Sequence, residues 1–267
     1  MAVANPEEEI DQTKAPLIEH LIELRRRLIY SMITVLVAFI FCYAFSQDIY
    51  NFLLIPYRYA VGSGAHIKMI YTAPQEMFFT DLRVAFFGAI VLSFPMLAAQ
   101  LYMFVAPGLY RNERQAFLPF LIATPVLFFL GAALVFFIVM PLAMRFFLSM
   151  QQEGPVDIQL TARVSEYLHL ITTFILAVGI CFQLPVLLTL LARVGMVSSQ
   201  WLRQQWRYAL VLIFTVAAIL APPDVVSQIG LAIPTYALYE ISILAVKLVE
   251  RQRAAEDKRR AASGDGA

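Results

Sequence analysis

The sequence predicts an all-α, polytopic integral membrane protein with six transmembrane helices, the last two short, and with both termini cytoplasmic. Of its 267 residues 60% are hydrophobic and 15% are charged, whereas soluble domains are about 45–50% apolar and about 25% charged. The charges gather in short clusters between long uncharged stretches. This pattern excludes a soluble globular enzyme, a disordered chain and a secreted disulfide scaffold. The net charge of +1 gives no indication of nucleic-acid binding.

The uncharged stretches define the spans, because a hydrocarbon core about 30 Å thick needs roughly 20 apolar residues in a helix. Four stretches are long enough: Leu28–Gln47, Val84–Tyr110, Gln115–Met144 and Tyr167–Ala192. Two shorter ones, Tyr208–Pro223 and Val225–Tyr239, are separated only by Asp224. The predicted membrane domain covers residues 28–249, with spans at about 28–47, 78–106, 115–142, 165–192, 207–222 and 225–247.

The fifth predicted span is too short to cross a bilayer core of ordinary thickness. Its 16 uncharged residues make about 24 Å of helix. A short helix packed against its neighbours, a locally thinned bilayer and a re-entrant segment all fit this length, and the sequence does not separate them.

The positive charges set the orientation. With the N-terminus inside, 15 of the 20 Lys and Arg residues fall on the cytoplasmic side. Residues 1–27 are then a cytoplasmic segment whose acidic start does not resemble a cleavable signal. Residues 250–267 form a basic tail that we expect to be disordered. The outer connections, at about 48–81 and 141–166, are rich in Pro and Gly and long enough for short interfacial caps.

No motif of an enzyme is present. The chain has no phosphate-binding loop, no dinucleotide fingerprint and no zinc-protease motif, and its three histidines lie in separate segments. We therefore expect no catalysis, no cofactor and no metal. A small secondary transporter or channel is the alternative class, but no internal repeat is visible and intramembrane polar residues are few.

An amphipathic helix is predicted to lead into the first span. Leu17, Leu21, Leu24 and Leu28 form one apolar stripe, which places the polar face at the cytoplasmic membrane surface. Glu23 lies on that polar side. One interpretation pairs Glu23 with Arg27 at i,i+4, so that the arginines only set topology.

A second cluster lies between the second and third spans. Pro107 and Gly108 end the second span, and Asn112 can cap the third, with Glu113 at the positive end of its dipole. Capping alone explains Glu113. The alternative is that Glu113 and Glu23 are two acids at one cytoplasmic interface, suited to receive guanidinium groups.

Four motifs occur in the order of a known family. They are His20-Leu-Ile-Glu23-Leu-Arg25, Phe104-x-x-Pro107-Gly108-Leu-Tyr-x-x-Glu113-Arg114, Pro222-Pro223-Asp224-x-x-Ser227-Gln228 and Ala232-Ile-Pro234-x-Tyr236. The chain resembles the TatC family, the polytopic core of the twin-arginine protein translocase, from about residue 16 to residue 250.

The resemblance implies a signal-peptide receptor in a bacterial-type cytoplasmic membrane that exports folded proteins using the proton-motive force. Glu23 and Glu113 would bind the paired arginines of the signal peptide. His20, Leu24, Arg25, Phe104 and Arg114 would shape the site. The implied partners are TatA-like and TatB-like single-span subunits and further copies of this chain in a hetero-oligomeric complex.

Five more positions are candidates for function. Gln183 stands where many family members carry Glu, so we expect it, with Pro185, to be a polar docking point for partner subunits. The alternative is that Gln183 satisfies backbone freed by Pro185 within its own bundle. Pro56 and Asp224 match outer positions that the family needs, although Asp224 also suits the cap of the sixth span. Glu240 is the acid within a predicted span, and we expect it to be hydrogen-bonded within the bundle.

Overall fold

The computed structural model describes residues 6–62, 69–105, 114–151, 160–220 and 224–262, with side chains from residue 18 onward except at 19, 105, 114–119 and 256–262. Across these ranges the regular structure is helical, apart from an isolated bridge between Ile70 and Arg163. The α-helices are α1 Pro6–Ala44, α2 Ser46–Leu53, α3 Ile55–Val61, α4 Glu76–Val105, α5 Arg114–Leu134, α6 Met140–Leu148, α7 Val164–Cys181, α8 Leu184–Val194, α9 Ser199–Gln204, α10 Trp206–Leu220 and α11 Val225–Ala262. The all-α prediction is confirmed.

Within the described ranges, five helical segments are long and apolar enough to cross a membrane: His20–Ala44, Glu76–Phe104, Phe120–Leu148, Val164–Val194 and Val225–Ala255. The predicted fifth span corresponds to α10, which has 15 residues and is therefore about 22 Å long. The length deficit read from the sequence for this span is thus present in the fold. The last predicted span, also expected to be short, instead lies in α11, whose segment Val225–Ala255 reaches spanning length because the helix continues past Glu240 into the charged tail.

The first span and the amphipathic segment before it form one continuous helix, α1. Its only extensive packing is along α4, and its apolar side chains Leu36, Val37 and Ile40 are each more than half exposed. A helix that is apolar all round but packed on one side is typical of a membrane span, because lipid covers its free face.

Two of the long helical segments are interrupted near prolines. A π-helical turn, Val135–Val139, joins α5 to α6 just before Pro141. The break between α7 and α8 comes at Phe182 and Gln183, two residues before Pro185. Proline lacks the N–H that a regular helix needs, so the ladder shifts at these points.

The outer connections are anchored to α7. The first contains α2 and α3, and the Tyr167 hydroxyl donates to the carbonyl oxygen of Leu53 at 2.8 Å. The ring of Tyr57 lies 5.4 Å from the ring of Tyr167. Both tyrosines are buried, so they hold the short helices over the outer end of the bundle.

The C-terminal tail, expected to be disordered from residue 250, is helical as far as Ala262. Tertiary contacts fix its beginning: the Glu250 carboxylate accepts from the backbone N–H of Ser199 at 2.9 Å, and Arg253 donates to the Arg193 carbonyl at 3.3 Å. Composition suggested disorder because the segment is charged. Its Ala, Arg, Glu and Lys residues are also strong helix formers, and a helix already begun continues through them.

The α5–α7 crossing depends on two glycines that face phenylalanine rings. A Cβ added at Gly179 would lie 2.5 Å from the Phe128 ring, and one at Gly131 would lie 2.9 Å from the Phe182 ring. Phe128 is fully buried. Small residues let membrane helices approach closely and gain dispersion contacts, so these glycines set the distance between α5 and α7.

We predict that Gly179→Ala destabilises the fold by about 1–3 kcal/mol, since the added methyl overlaps a buried ring. The measurement is the thermal unfolding midpoint of the detergent-solubilised protein. Gly230→Ala is the matched control, because its Cβ would meet only Val139 at an ordinary 3.7 Å. Equal midpoints for Gly179→Ala and the wild type would contradict this account of the crossing.

Candidate functional site

The N-terminal part of α1 lies against the C-terminal end of α4. The ring of His20 stacks on the ring of Phe104, with centroids 4.4 Å apart and planes inclined by 24°. The structure therefore joins the first of the family-like motifs to the second. Phe104 is half-buried, whereas Leu24 and Arg25 are exposed on the same segment of α1.

Arg27 connects the two helices two turns beyond His20 along α1. Its Nη2 donates to Oε1 of Glu23 at 3.2 Å, and its Nη1 donates to Oε1 of Gln100 at 3.3 Å and to Sδ of Met103 at 3.5 Å. Gln100 is only 4% exposed. The Glu23–Arg27 ion pair considered from the sequence is thus present, but Arg27 also holds α1 to α4.

The Glu23 carboxylate remains open to a ligand. Its side chain is 29% exposed and that of Arg27 is 26% exposed. Arg27 occupies Oε1, and the neighbouring aromatic pair presents a flat surface. A carboxylate beside an aromatic surface suits a guanidinium group, which binds carboxylates through a fork and stacks on rings. Glu113 lies outside the described residues, and Arg114 begins α5 with no side chain described.

Gln183 bonds within the bundle at the break between α7 and α8. Its Nε2 donates to the carbonyl oxygens of Thr124 at 3.0 Å and of Gly179 at 3.4 Å. The Gly179 carbonyl needs this donor because the N–H of Gln183 turns to Ile180 instead. This is the bundle-internal role considered for Gln183, and buried Pro185 lies directly beyond it.

The side-chain oxygen of Gln183, unlike its nitrogen, has no hydrogen-bond partner in the described part of the bundle. Its Oε1 is buried and accepts no hydrogen bond from the described part of the chain. Gln183 also lines a cavity of about 290 Å³ between α7, α8, α10 and α11, whose wall is otherwise apolar apart from Cys181 and Thr235. One amide oxygen is therefore left without a hydrogen-bond donor within the described part of the chain.

The remaining candidates are placed as follows. Asp224 caps α11, since its Oδ1 accepts from the N–H of Ser227 at 2.7 Å. Glu240 accepts from the Tyr236 hydroxyl at 3.1 Å on the same helix. Pro56 is fully buried in the first turn of α3, so its role there is to pack that short helix.

One polar cluster, at the starts of α4 and α7, was not found from the sequence. Glu76 accepts from Ser165 Oγ at 2.5 Å and from the Thr72 N–H at 2.8 Å. Arg163 donates to Thr72 and pairs with Glu166 at 3.1 Å. These residues tie the two outer connections together. No local signal marks them, because partners such as Glu76 and Ser165 are 89 positions apart.

The fold and the junction of α1 and α4 define a class of protein. It is a polytopic helical membrane protein with a partly exposed carboxylate, Glu23, and an aromatic pair, His20 and Phe104, where its first two long helices meet. A sequence model of the family described as Sec-independent protein translocase protein (TatC) matches residues 19–234. The chain belongs to the TatC family, and it is a transport subunit of twin-arginine protein translocation.

Individual relatives agree. The chain is 48% identical over 246 residues to the Sec-independent protein translocase protein TatC of Magnetococcus marinus, covering 92% of this chain and 89% of that protein. The protein of the same name from Escherichia coli K12 is 38% identical over 85% of this chain and 86% of its own length. A crystal structure of the twin-arginine translocase receptor TatC superposes with a TM-score of 0.76 at 32% identity, covering 86% of this chain and 99% of that one.

We predict that Asp224→Ala weakens the start of α11 by about 0.5–2 kcal/mol, whereas Asp224→Asn retains the cap, because an amide oxygen also accepts the Ser227 N–H. Hydrogen exchange of the amides of residues 225–228 measures the effect. Equal exchange in Asp224→Ala and the wild type would show that the cap contributes nothing. A transport defect in Asp224→Asn with normal exchange would assign Asp224 a role beyond capping.

Proposed function

We propose that this chain is the receptor for paired-arginine signal peptides and the core through which folded proteins cross a bacterial cytoplasmic membrane, with the proton-motive force as the energy source. The observation that carries the proposal is the junction of α1 and α4. There the side chain of Glu23 is 29% exposed, and it lies one helical turn along α1 from His20, whose ring stacks on that of Phe104.

A signal arginine binds this junction by exchange. The guanidinium fork engages both carboxylate oxygens of Glu23, so it competes with Nη2 of Arg27 for Oε1. Arg27 remains attached to α4 through Nη1, which bonds to Gln100 and Met103. The ion pair between the signal arginine and Glu23 replaces the ion pair between Arg27 and Glu23. The flat face of the signal arginine's guanidinium also gains contact with the rings of His20 and Phe104.

The charge distribution supports a cytoplasmic position for this junction. The Lys and Arg residues are concentrated at the N-terminus, the α8–α10 connection and the tail, as the positive-inside rule requires. Exposed Trp201 and Trp206 border the α8–α10 connection, at the level where tryptophans anchor membrane interfaces. Glu113 and Arg114, carried over from the family resemblance, belong to the same side and would supply the second acid and its neighbour.

We predict that Glu23→Ala, and separately Glu113→Ala, reduces crosslinking of a twin-arginine precursor about tenfold, since a hydrogen bond to a charged group contributes about 1.5–3 kcal/mol. A photoreactive residue at exposed Leu21 reports binding without altering either acid. A twin-lysine precursor is expected to crosslink as weakly as these variants, because Lys keeps the charge and loses the fork.

Glu166→Ala is the matched control for this experiment, because it removes an exposed paired carboxylate on the outer side. It is expected to leave crosslinking unchanged. Full crosslinking by Glu23→Ala, in a protein that is correctly inserted, would remove the junction from the receptor site. Equal crosslinking of the twin-lysine precursor would show that the site does not read the guanidinium fork.

We further propose that Gln183 and Pro185 form a docking point for single-span TatA-like and TatB-like subunits. The support is the unpartnered Oε1 of Gln183 at the wall of an apolar cavity. An unpaired acceptor in an apolar surrounding is costly, and a hydroxyl or amide donor on a partner helix removes that cost. Gln183 cannot carry a proton as a carboxyl would, so its contribution is hydrogen bonding alone.

We predict that Gln183→Leu reduces recovery of partner subunits with the purified protein several-fold. The same change removes two bonds inside the bundle, so the unfolding midpoint must be measured alongside. Gln183→Glu, which keeps an oxygen acceptor, is expected to retain the partners. Full recovery with Gln183→Leu would leave only the role within the bundle.

A further inference from the structure

We propose that the cavity between α1, α4 and α7 binds a phospholipid of the outer leaflet, with its phosphate at Arg83 and one acyl chain in the groove between α1 and α4. The phosphate end of this site, at Arg83, lies at the opposite end of the same two helices from the signal-binding junction, and the groove ends at Ile29, two residues beyond Arg27. The proposal does not depend on the proposed receptor function.

Among the described residues, Arg83 is a cation for which no acid serves as counterion. It follows Glu76, the first residue of α4, by seven positions, which is about 10 Å along the helix. Within the described ranges Arg83 takes part in no ion pair. An arginine at this depth is expensive unless an anion or water accompanies it.

The nearest acid on the same helix, Asp81, faces elsewhere. Two positions along a helix correspond to roughly opposite sides. Burial and, after it, the charge of Asp81 raise the pKa of Tyr50, a residue of α2. Asp81 therefore lies toward α2, whereas Arg83 lines the cavity between α1, α4 and α7.

The cavity beside Arg83 has a volume of about 460 Å³ and a polar end. Arg83 shares its lining with His169, Thr173 and Ser165. The Ser165 hydroxyl already donates to Glu76, which leaves the guanidinium, the imidazole and the Thr173 hydroxyl as donors. Three donors around one cavity suit the oxygens of a phosphate group.

An apolar groove continues the cavity across the middle of the membrane, toward the end of α1 that carries Arg27. The groove has a volume of about 740 Å³ and shares Phe39 and Phe86 with the cavity. Arg83, Phe86 and Ile90 lie on one face of α4, at i, i+3 and i+7. Along α1 the groove extends from Phe39 to Ile29, ten residues or about 15 Å.

A cationic end joined to a long apolar groove is complementary to a phospholipid. A partner helix would have to bring its own anionic side chain to the depth of Arg83, which the bilayer disfavours. A lipid phosphate is already present near this level, and the arginine stem can extend to meet it. Bound lipid then stabilises the folded protein by mass action, because the unfolded chain has no such site.

The test is native mass spectrometry of the full-length protein titrated with phosphatidylglycerol, compared with Arg83→Gln and with Arg58→Gln. Arg58 is an exposed outer cation on α3 and controls for loss of charge. Arg83→Gln is expected to reduce bound lipid about tenfold, while Arg58→Gln has no effect. Leu36→Trp keeps Arg83 and fills the groove, and it is expected to reduce lipid binding several-fold as well.

Glycerol phosphate, which has no acyl chains, separates the contribution of the phosphate end from that of the apolar groove. It is expected not to bind at concentrations at which phosphatidylglycerol saturates the site. Retained lipid in Arg83→Gln would overturn the proposal and leave Arg83 as a cation that extends to the interface. Equal losses in Arg83→Gln and Arg58→Gln would also overturn it, since the binding would then follow net charge. Unchanged binding in Leu36→Trp, confirmed as folded by its unfolding midpoint, would remove the groove from the site.

Discussion

Hydrocarbon offers no hydrogen-bond partners, so every backbone N–H and C=O within the membrane must be satisfied by the protein itself. Continuous helices meet this requirement over most of the chain. Where Pro185 interrupts the ladder, Gln183 supplies the missing donor to the Gly179 carbonyl and reaches Thr124 on the neighbouring helix. The same side chain thus repairs its own helix and joins α7 to α5. Its remaining oxygen is what makes partner docking at this position physically reasonable.

The junction of α1 and α4 combines attachment with accessibility. Arg27 holds α1 to buried Gln100 with one nitrogen and holds Glu23 with another. Arg27 can therefore give up Glu23 to a signal arginine while the two helices stay together. The His20–Phe104 stack brings an apolar surface to the same place. The receptor proposal depends on this separation between the contact that fixes the helices and the contact that a ligand can replace.

The outer side of the molecule is organised differently. Glu76, Ser165, Thr72 and Arg163 form a hydrogen-bonded cluster that ties the two outer connections together, and buried tyrosines seat the short helices below it. Next to this rigid cluster, α1 leaves a groove along α4 that protein does not fill. A lipid in that groove would complete the packing of a helix whose outer face is otherwise covered only by the bilayer.

The sequence by itself determined the helical class, four of the five long apolar segments, the short length of α10 and the family, because hydrophobic runs, charge clusters and local motifs are properties of neighbouring residues. It also determined the cap at Asp224, which acts within one helical turn. The tertiary structure decided which partners those residues have. Arg27 meets Gln100 across 73 positions, Gln183 meets Thr124 across 59, and Glu250 holds Ser199 across 51. Contacts over such separations follow from how the helices pack. Helix packing depends on the fit between glycines and aromatic rings at the crossings, and no pattern among neighbouring residues predicts that fit.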